Sequence, residues 1–424
     1  MNDTRRIYLD HSATTPADPR VVEAMLPYLM EKFGNASSVH FFGQEARAAV
    51  DRARRDVAAL IQARANEIVF VSGGTEANNL AIRGLLSRWS GVTSGIKGHI
   101  ITSSIEHSSV RGICETMEEC GWEVTRLPAY EEGIVRTDDV RAALRPDTIL
   151  ISVMLANNEI GTIQPIEEIG ALVREERALG RGNLWLHTDA VQAAGRVSLN
   201  VETLGCDLLS LSGHKLYAPK GCGALYIKRG VRLASQNIGG HQERERRAGT
   251  EGVPAIVAFG TAAKLAREEM SQRSEHDRLL RDAFEAGASA AIADIVFNGD
   301  RLRRLPHLSN ISFRFIEGEG LLISLDLQSI AVSTGSACSS GTLEPSPVIR
   351  ALGRNDELAR GSIRFSFGKD NTEADVKYVL EVLPRVVKKL RELSPLNKVP
   401  NSDFQVLEKE TAIHKITRTN TKSP

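Results

Sequence analysis

Short, nearly uniform apolar runs alternate with longer amphipathic stretches up to about residue 252, and this rhythm constrains the fold more than any other feature. Residues 67–72 (EIVFVS), 99–103 (HIITS), 148–154 (TILISVM), 184–187 (LWLH) and 207–212 (DLLSLS) read as strands. A strand with one wet face alternates apolar and polar residues, whereas a strand buried on both faces does not. Between the runs, residues 44–62, 76–89, 110–120 and 166–179 show helical spacing of apolar positions. Buried strand, helix, buried strand predicts an α/β fold built on a mostly parallel sheet. Such sheets bind ligands beyond the carboxyl ends of their strands.

The rhythm changes near residue 252. Residues 253–280 read as one long helix opened by Pro254. After it come strands at 309–315 and 361–367 and helices at 320–327 and 372–393. We read a large domain over 15–255, a smaller α+β domain from 1–14 and 256–394, and a divergent, flexible tail over 395–424. The 424 residues hold 53 basic and 53 acidic side chains, a net charge of zero. Bulk attraction to nucleic acid or an acidic membrane needs a basic surplus and is excluded as a main function. Cys114, Cys120, Cys206, Cys222 and Cys338 form no CxxC pair, so neither a disulfide framework nor a metal site is expected. The N-terminus shows no apolar signal core, and the best apolar stretch, 149–156, is too short to span a bilayer. A cytoplasmic protein is expected.

The polar motifs just after the strands carry the chemistry. Lys215, in SGHK, follows the strand at 207–212; it reads either as a surface lysine or as a Schiff-base lysine activated by desolvation. Gly73, Gly74 and Thr75 join a strand to a helix, where free N–H groups and the positive dipole end suit a phosphate; Thr75 serves equally as a helix N-cap. Asp189 ends the strand at 184–187 and suits either a helix cap or a pyridinium partner. His107, at another strand-to-helix junction, is a structural histidine or a ring that stacks on a cofactor and exchanges protons. Arg364 alternates with apolar residues on a strand; facing inward it would grip a carboxylate, and facing outward it would be solvated. Cys338 lies in STGSACSSG, whose small residues offer little packing for a buried thiol, so an exposed reactive thiol fits better. The other four cysteines read as small buried apolar residues.

Together these stretches resemble the cysteine desulfurase family of the NifS/IscS type, class V aminotransferases among the fold-type I pyridoxal-phosphate enzymes. The resemblance rests on YLDHSATTP (8–16), GNASSVH (34–40), SGGTEANNLAIRG (72–84), EH (106–107) and ANNEIGTIQPI (156–166). It continues through HTDAVQ (187–192), SGHKLYAPKG (212–221), RAGTEG (247–252), STGSACSSGTLEPSPVIRALG (333–353) and SIRFSFG (362–368), all in family order. It implies conversion of L-cysteine to L-alanine, with the sulfur passing to Cys338 as a persulfide and then to an iron–sulfur scaffold or a tRNA-thiolation carrier. It implies that Lys215 binds pyridoxal 5'-phosphate covalently. Gly74, Thr75, Ser212 and His214 would hold its phosphate, and Thr250 would reach it from the other subunit of a homodimer. Asp189 would face the pyridinium, Asn158 and Gln192 the ring hydroxyl, and His107 the ring face. Arg364, helped by Asn35, would clamp the substrate carboxylate. The tail after Leu396 departs from the family's usual C-terminus, and Arg244, Glu245, Arg246 and Arg247 mark a candidate docking patch. Two alternatives compete: a selenocysteine lyase or another β-eliminating lyase on the same fold, and a non-catalytic interaction protein.

Overall fold

The computed structural model describes residues 6–92, 95, 97–334 and 344–395. Its strands are β1 (Ile7–Tyr8), β2 (Ile68–Val71), β3 (His99–Ser103), β4 (Glu123–Leu127), β5 (Thr148–Ser152) and β6 (Trp185–Asp189). They continue with β7 (Leu208–Ser212), β8 (Gly223–Ile227), β9 (Ile295–Phe297), β10 (Leu308–Phe313), β11 (Ile330–Ala331) and β12 (Ser362–Ser366). Seven strands form the main sheet in the order β2-β8-β7-β6-β5-β3-β4. Only β8 runs antiparallel, to both β2 and β7. The five apolar runs are therefore sheet strands, and β2, β3, β5 and β7 are buried along their whole length.

Two strands of the main sheet escape sequence reading, as do the short β1, β9 and β11 outside it. β4 is the sheet edge and is mostly uncovered, so its residues need not be apolar. β8 is a five-residue segment slotted between β2 and β7 without a crossover helix, so the strand–helix rhythm does not signal it.

Apolar cores lie on both faces of the main sheet. Val57, Phe70, Leu186 and Phe259 belong to one, and Leu80, Ile100, Trp122 and Leu150 to the other. A separate core gathers Leu9, Phe284, Ile311, Phe365 and Val379 around the smaller sheet β12-β10-β9. The helix Val253–Ala291 feeds both regions: Phe259 and Ala262 pack with the main sheet, Leu280 and Phe284 with the small one. It runs eleven residues past its expected end (291 − 280), although Gly287 weakens local helix propensity. A Cβ at Gly287 would lie 2.3 Å from Leu380 Cδ1, so glycine is what lets this helix approach Glu373–Leu393 so closely.

Helix starts show local causes. His40 caps the helix Phe41–Leu60 by accepting from Gly43 N–H at 3.4 Å, which moves its start three residues upstream of the apolar pattern. Thr372 and Asp375 form a reciprocal capping box at Glu373–Leu393.

Candidate active site

The parallel strands β3, β5, β6 and β7 end at one cavity of about 290 Å³, at the small end of the range for ligand sites. Its walls bring together Gly74, Thr75, His107, Asn158, Asp189, Gln192, Ser212, His214, Lys215 and Arg364. A parallel sheet covered by helices projects the loops after its strands to one side, which is why motifs scattered from 74 to 215 converge, while Arg364 reaches the cavity from the smaller sheet.

The helix Gly74–Val92 begins at Gly74, so Thr75 sits in its first turn and is not the N-cap. A Cβ on Gly74 would lie 2.8 Å from Val191 Cγ2, so this approach requires glycine. The exposed N–H groups of that first turn join the Ser212 hydroxyl at the same wall. His214 rests against Thr14, Nδ1 to Oγ1 at 3.1 Å. Burial, with Lys215 and Lys220 nearby, lowers its pKa to about 4, so its ring stays neutral at pH 7.

Lys215 sits in a 3-10 turn directly after β7. Its Nζ donates to Ala13 O at 2.6 Å and to Ser12 O, so it is a cavity lysine and not a surface one. Ser12 O also accepts from Gln192 Nε2 at 3.0 Å. Asp189 is 6% exposed at the end of β6. Its Oδ1 accepts from Val191 N–H at 2.9 Å and its Oδ2 from Asn78 Nδ2 at 2.8 Å. The carboxylate thus makes the local turn bond its sequence position suggests and still faces the cavity.

Arg364 points inward from β12 and is 2% exposed. Nη1 donates to Asn158 O at 2.8 Å and Nη2 to Asp10 Oδ1 at 2.7 Å. Its buried Nε finds no partner among the described residues. His107 N-caps the helix Ser108–Glu119 through Nδ1, which accepts from Ser109 N–H at 3.2 Å. It therefore has the structural role and a place on the cavity wall at once.

Three expected site residues stand apart. Asn35 lies on an exposed turn, its Oδ1 accepting from Ser37 N–H at 2.9 Å, and it does not line the cavity. Thr250 is exposed beside a separate groove with Gly249 and Glu251. Cys338 and the tail from 396 onward lie outside the described residues. Of the remaining cysteines, Cys114, Cys206 and Cys222 are buried as expected, but Cys120 is exposed. It caps the end of Ser108–Glu119, beyond the last buried turn. In the candidate docking patch, Arg247 is committed to Glu76 at 2.8 Å, and Arg244 donates to Asn66 O at 3.0 Å. Both arginines therefore spend donors within the chain.

Sequence reasoning missed Asn78 and Ser109, and gave Asp10 no role. Asn78 lies four residues after Gly74 in SGGTEANN, one helical turn along, and that spacing was a usable signal. Asp10 stands in YLDHSATTP, but only the fold brings it to a strand 354 positions away.

The donor set fits pyridoxal phosphate. Among the described residues, neutral donors and a helix start lie at one wall, a single carboxylate lines the cavity, and Lys215 and Arg364 are its two cations. A phosphate, a protonated pyridine nitrogen and a carboxylate-bearing amine substrate are the matching groups. Among the described residues no cluster suits a metal ion.

Comparison with known proteins agrees. Residues 7–379 match the family model described as aminotransferase class-V. The chain is 50% identical over 391 residues to "Cysteine desulfurase IscS" of Dictyoglomus turgidum, covering 92% of this chain and 97% of that one. A solved structure titled "NIFS-LIKE PROTEIN" superposes with a TM-score of 0.84 at 33% identity, covering 91% of this chain and all of the other. Another, "SspA in complex with cysteine", gives a TM-score of 0.73 at 34% identity, covering 85% and 99%. The chain belongs to the class-V aminotransferase family, among its cysteine desulfurases of the IscS/NifS type.

Proposed function

We propose that this chain is a pyridoxal-phosphate-dependent cysteine desulfurase, which converts L-cysteine to L-alanine and hands the sulfur to an acceptor protein. One observation carries the reading: a single cavity at the strand ends brings together the amine of Lys215, the carboxylate of Asp189 and the guanidinium of Arg364. When bound there, the cofactor supplies an electron sink that acidifies the substrate α-carbon.

The chain's own groups do the rest. Lys215 would anchor the cofactor, and its Nζ would hold and return the proton that moves at the substrate. Asp189 holds the proton on the pyridine nitrogen. Gly74, Thr75, Ser212 and His214 receive the phosphate, Asn158 and Gln192 the ring hydroxyl, and His107 covers the ring. Arg364 grips the substrate carboxylate with the N–H groups not committed to Asp10 and Asn158. Cys338 is the nucleophile: its thiolate forms an S–S bond to the substrate sulfur as the bond from that sulfur to Cβ breaks, and the electron pair of the broken bond stays on Cβ, which takes a proton to become the methyl group of alanine. Support comes from Ser333, five residues upstream, whose backbone pairs with Arg364 at 2.7 Å (N–H of Arg364 to O of Ser333). The chain leading to the thiol thus departs from beside the carboxylate clamp.

The protein works as a homodimer in which Thr250, exposed here, completes the neighbour's phosphate site, and Asn35, also exposed, helps Arg364 at the substrate carboxylate. The persulfide sulfur passes to an iron–sulfur scaffold or a sulfur carrier in the cytoplasm. No helix among the described residues is long and apolar enough to cross a membrane. The division into 15–255, 1–14 with 256–394, and a tail is supported by the separate small-domain core.

The test compares parent, Cys338→Ala and Lys215→Ala, following alanine and protein-bound persulfide formed from cysteine. The parent yields both, and each variant loses persulfide transfer. Alanine and free sulfide at the parental rate from Cys338→Ala would point to a β-eliminating lyase. A parent that takes up no pyridoxal phosphate would leave an interaction protein.

A further inference from the structure

His107 and Asp189 lie on different elements, yet a continuous hydrogen-bond chain joins them. Asn78 is fully buried on the helix Gly74–Val92. Its Nδ2 donates to Asp189 Oδ2 at 2.8 Å and to Ser109 Oγ at 2.8 Å, using both amide hydrogens. The amide orientation is fixed by chemistry, because a carboxylate oxygen accepts and cannot donate. Ser109 Oγ, already an acceptor from Asn78, has its own hydrogen left to donate. His107 Nδ1 lies 2.8 Å from that oxygen. The Ser109 backbone N–H points at the same nitrogen from 3.2 Å.

We infer that Asn78 and Ser109 are positioning residues that fix His107 as its Nε2–H tautomer and tie the ring to the carboxylate of Asp189. Two donors converge on Nδ1, so a proton there would oppose both. Turning the Ser109 hydroxyl around would set its hydrogen against the amide hydrogens of Asn78. The amide cannot turn without facing its oxygen to the Asp189 carboxylate. Every member of the chain therefore holds the next in one polarity, and His107 offers its site a hydrogen-bond donor rather than a base. Within the proposed desulfurase reading, on which this inference rests, proton removal then falls to Lys215.

The test uses the full-length holoenzyme with ring-nitrogen-labelled histidine, assigned by comparison with His107→Gln. Nitrogen NMR distinguishes the two neutral tautomers. The parent should show a single Nε2–H signature for His107. Ser109→Ala leaves Nδ1 only the longer backbone contact of 3.2 Å, and Asn78→Ala frees the Ser109 hydroxyl to turn, so each should give a mixture, whereas Ser109→Thr, which keeps the hydroxyl, should keep the single form. In alanine formation from cysteine, kcat of Ser109→Ala should fall about tenfold, the size expected for one lost hydrogen bond, with KM within twofold. A single Nε2–H signature in both alanine variants overturns the inference, as does an Nδ1–H signature in the parent. Neither depends on activity, so a parent inactive on cysteine would refute the function while leaving the tautomer result readable.

Discussion

Replacing Arg364 with lysine tests the carboxylate clamp most directly. The arginine commits Nη2 to Asp10 Oδ1 at 2.7 Å and Nη1 to Asn158 O at 2.8 Å. Three of its five N–H groups remain for a substrate carboxylate, in the planar fork that grips both oxygens. A lysine ammonium has three donors, and Asp10 and Asn158 O would claim two of them. One of two charge-assisted hydrogen bonds to the substrate is then lost, worth about 1.5–3 kcal/mol. At about 1.4 kcal/mol per tenfold, KM for cysteine should rise roughly 10- to 150-fold. The contact exists in the ground state and in the transition state alike, so kcat should change by less than about threefold. The assay is the initial rate of alanine formation against cysteine concentration, with cofactor absorbance confirming an intact site. A KM within twofold of the parent, at full cofactor content, would refute the clamp.

Three further outcomes follow from buried groups. Glu106, 3% exposed and accepting from Ser103 Oγ–H and Met154 N–H, is pushed by burial up to a pKa of about 8. Its cost to the fold should grow as pH rises from about 4.5 to 8 and then level, so the advantage in Tm of Glu106→Gln should widen over that window; a constant gap would refute the assignment. His187, held between Ser152 at 2.8 Å and Ser210 at 3.0 Å, is lowered by burial to about 4. Its neutral form stabilises the fold fully above about 6.5, and that share is lost as pH falls toward 4; His187→Gln should flatten the fall in Tm between those values, and an unchanged slope would count against it. Glu243 pairs with buried Arg54 through two bonds of 2.6 and 2.7 Å, so Glu243→Ala strands a guanidinium and should cost about 3–5 kcal/mol in denaturant unfolding. A loss under about 1 kcal/mol would show that Glu251, 3.9 Å away, takes over.

Much of this protein was legible along the chain. The uniform apolar runs had to be strands covered on both faces, because only a doubly covered sheet removes the need for a wet side. That implied loops converging beyond one end of the strands, where Gly74, His107, Asp189 and Lys215 lie, although their joint roles there followed only from the family resemblance. Where local signals were weak, the reading failed. The edge position of β4 relaxes its apolar demand, and the close packing of Gly287 on Leu380 carries a helix through a residue that by itself disfavours it. The tertiary structure decided what no local pattern can encode: which way Arg364 faces, that Asp10 meets it from 354 positions away, and that Asn78 and Ser109 link Asp189 to His107. It also left Asn35 and Thr250 exposed and apart from the cavity of their own chain. The physical reason is range. Periodicity and capping act over a turn or a pleat and are written in neighbouring residues, whereas the polarity of a hydrogen bond between two helices or strands exists only once both have been packed in place.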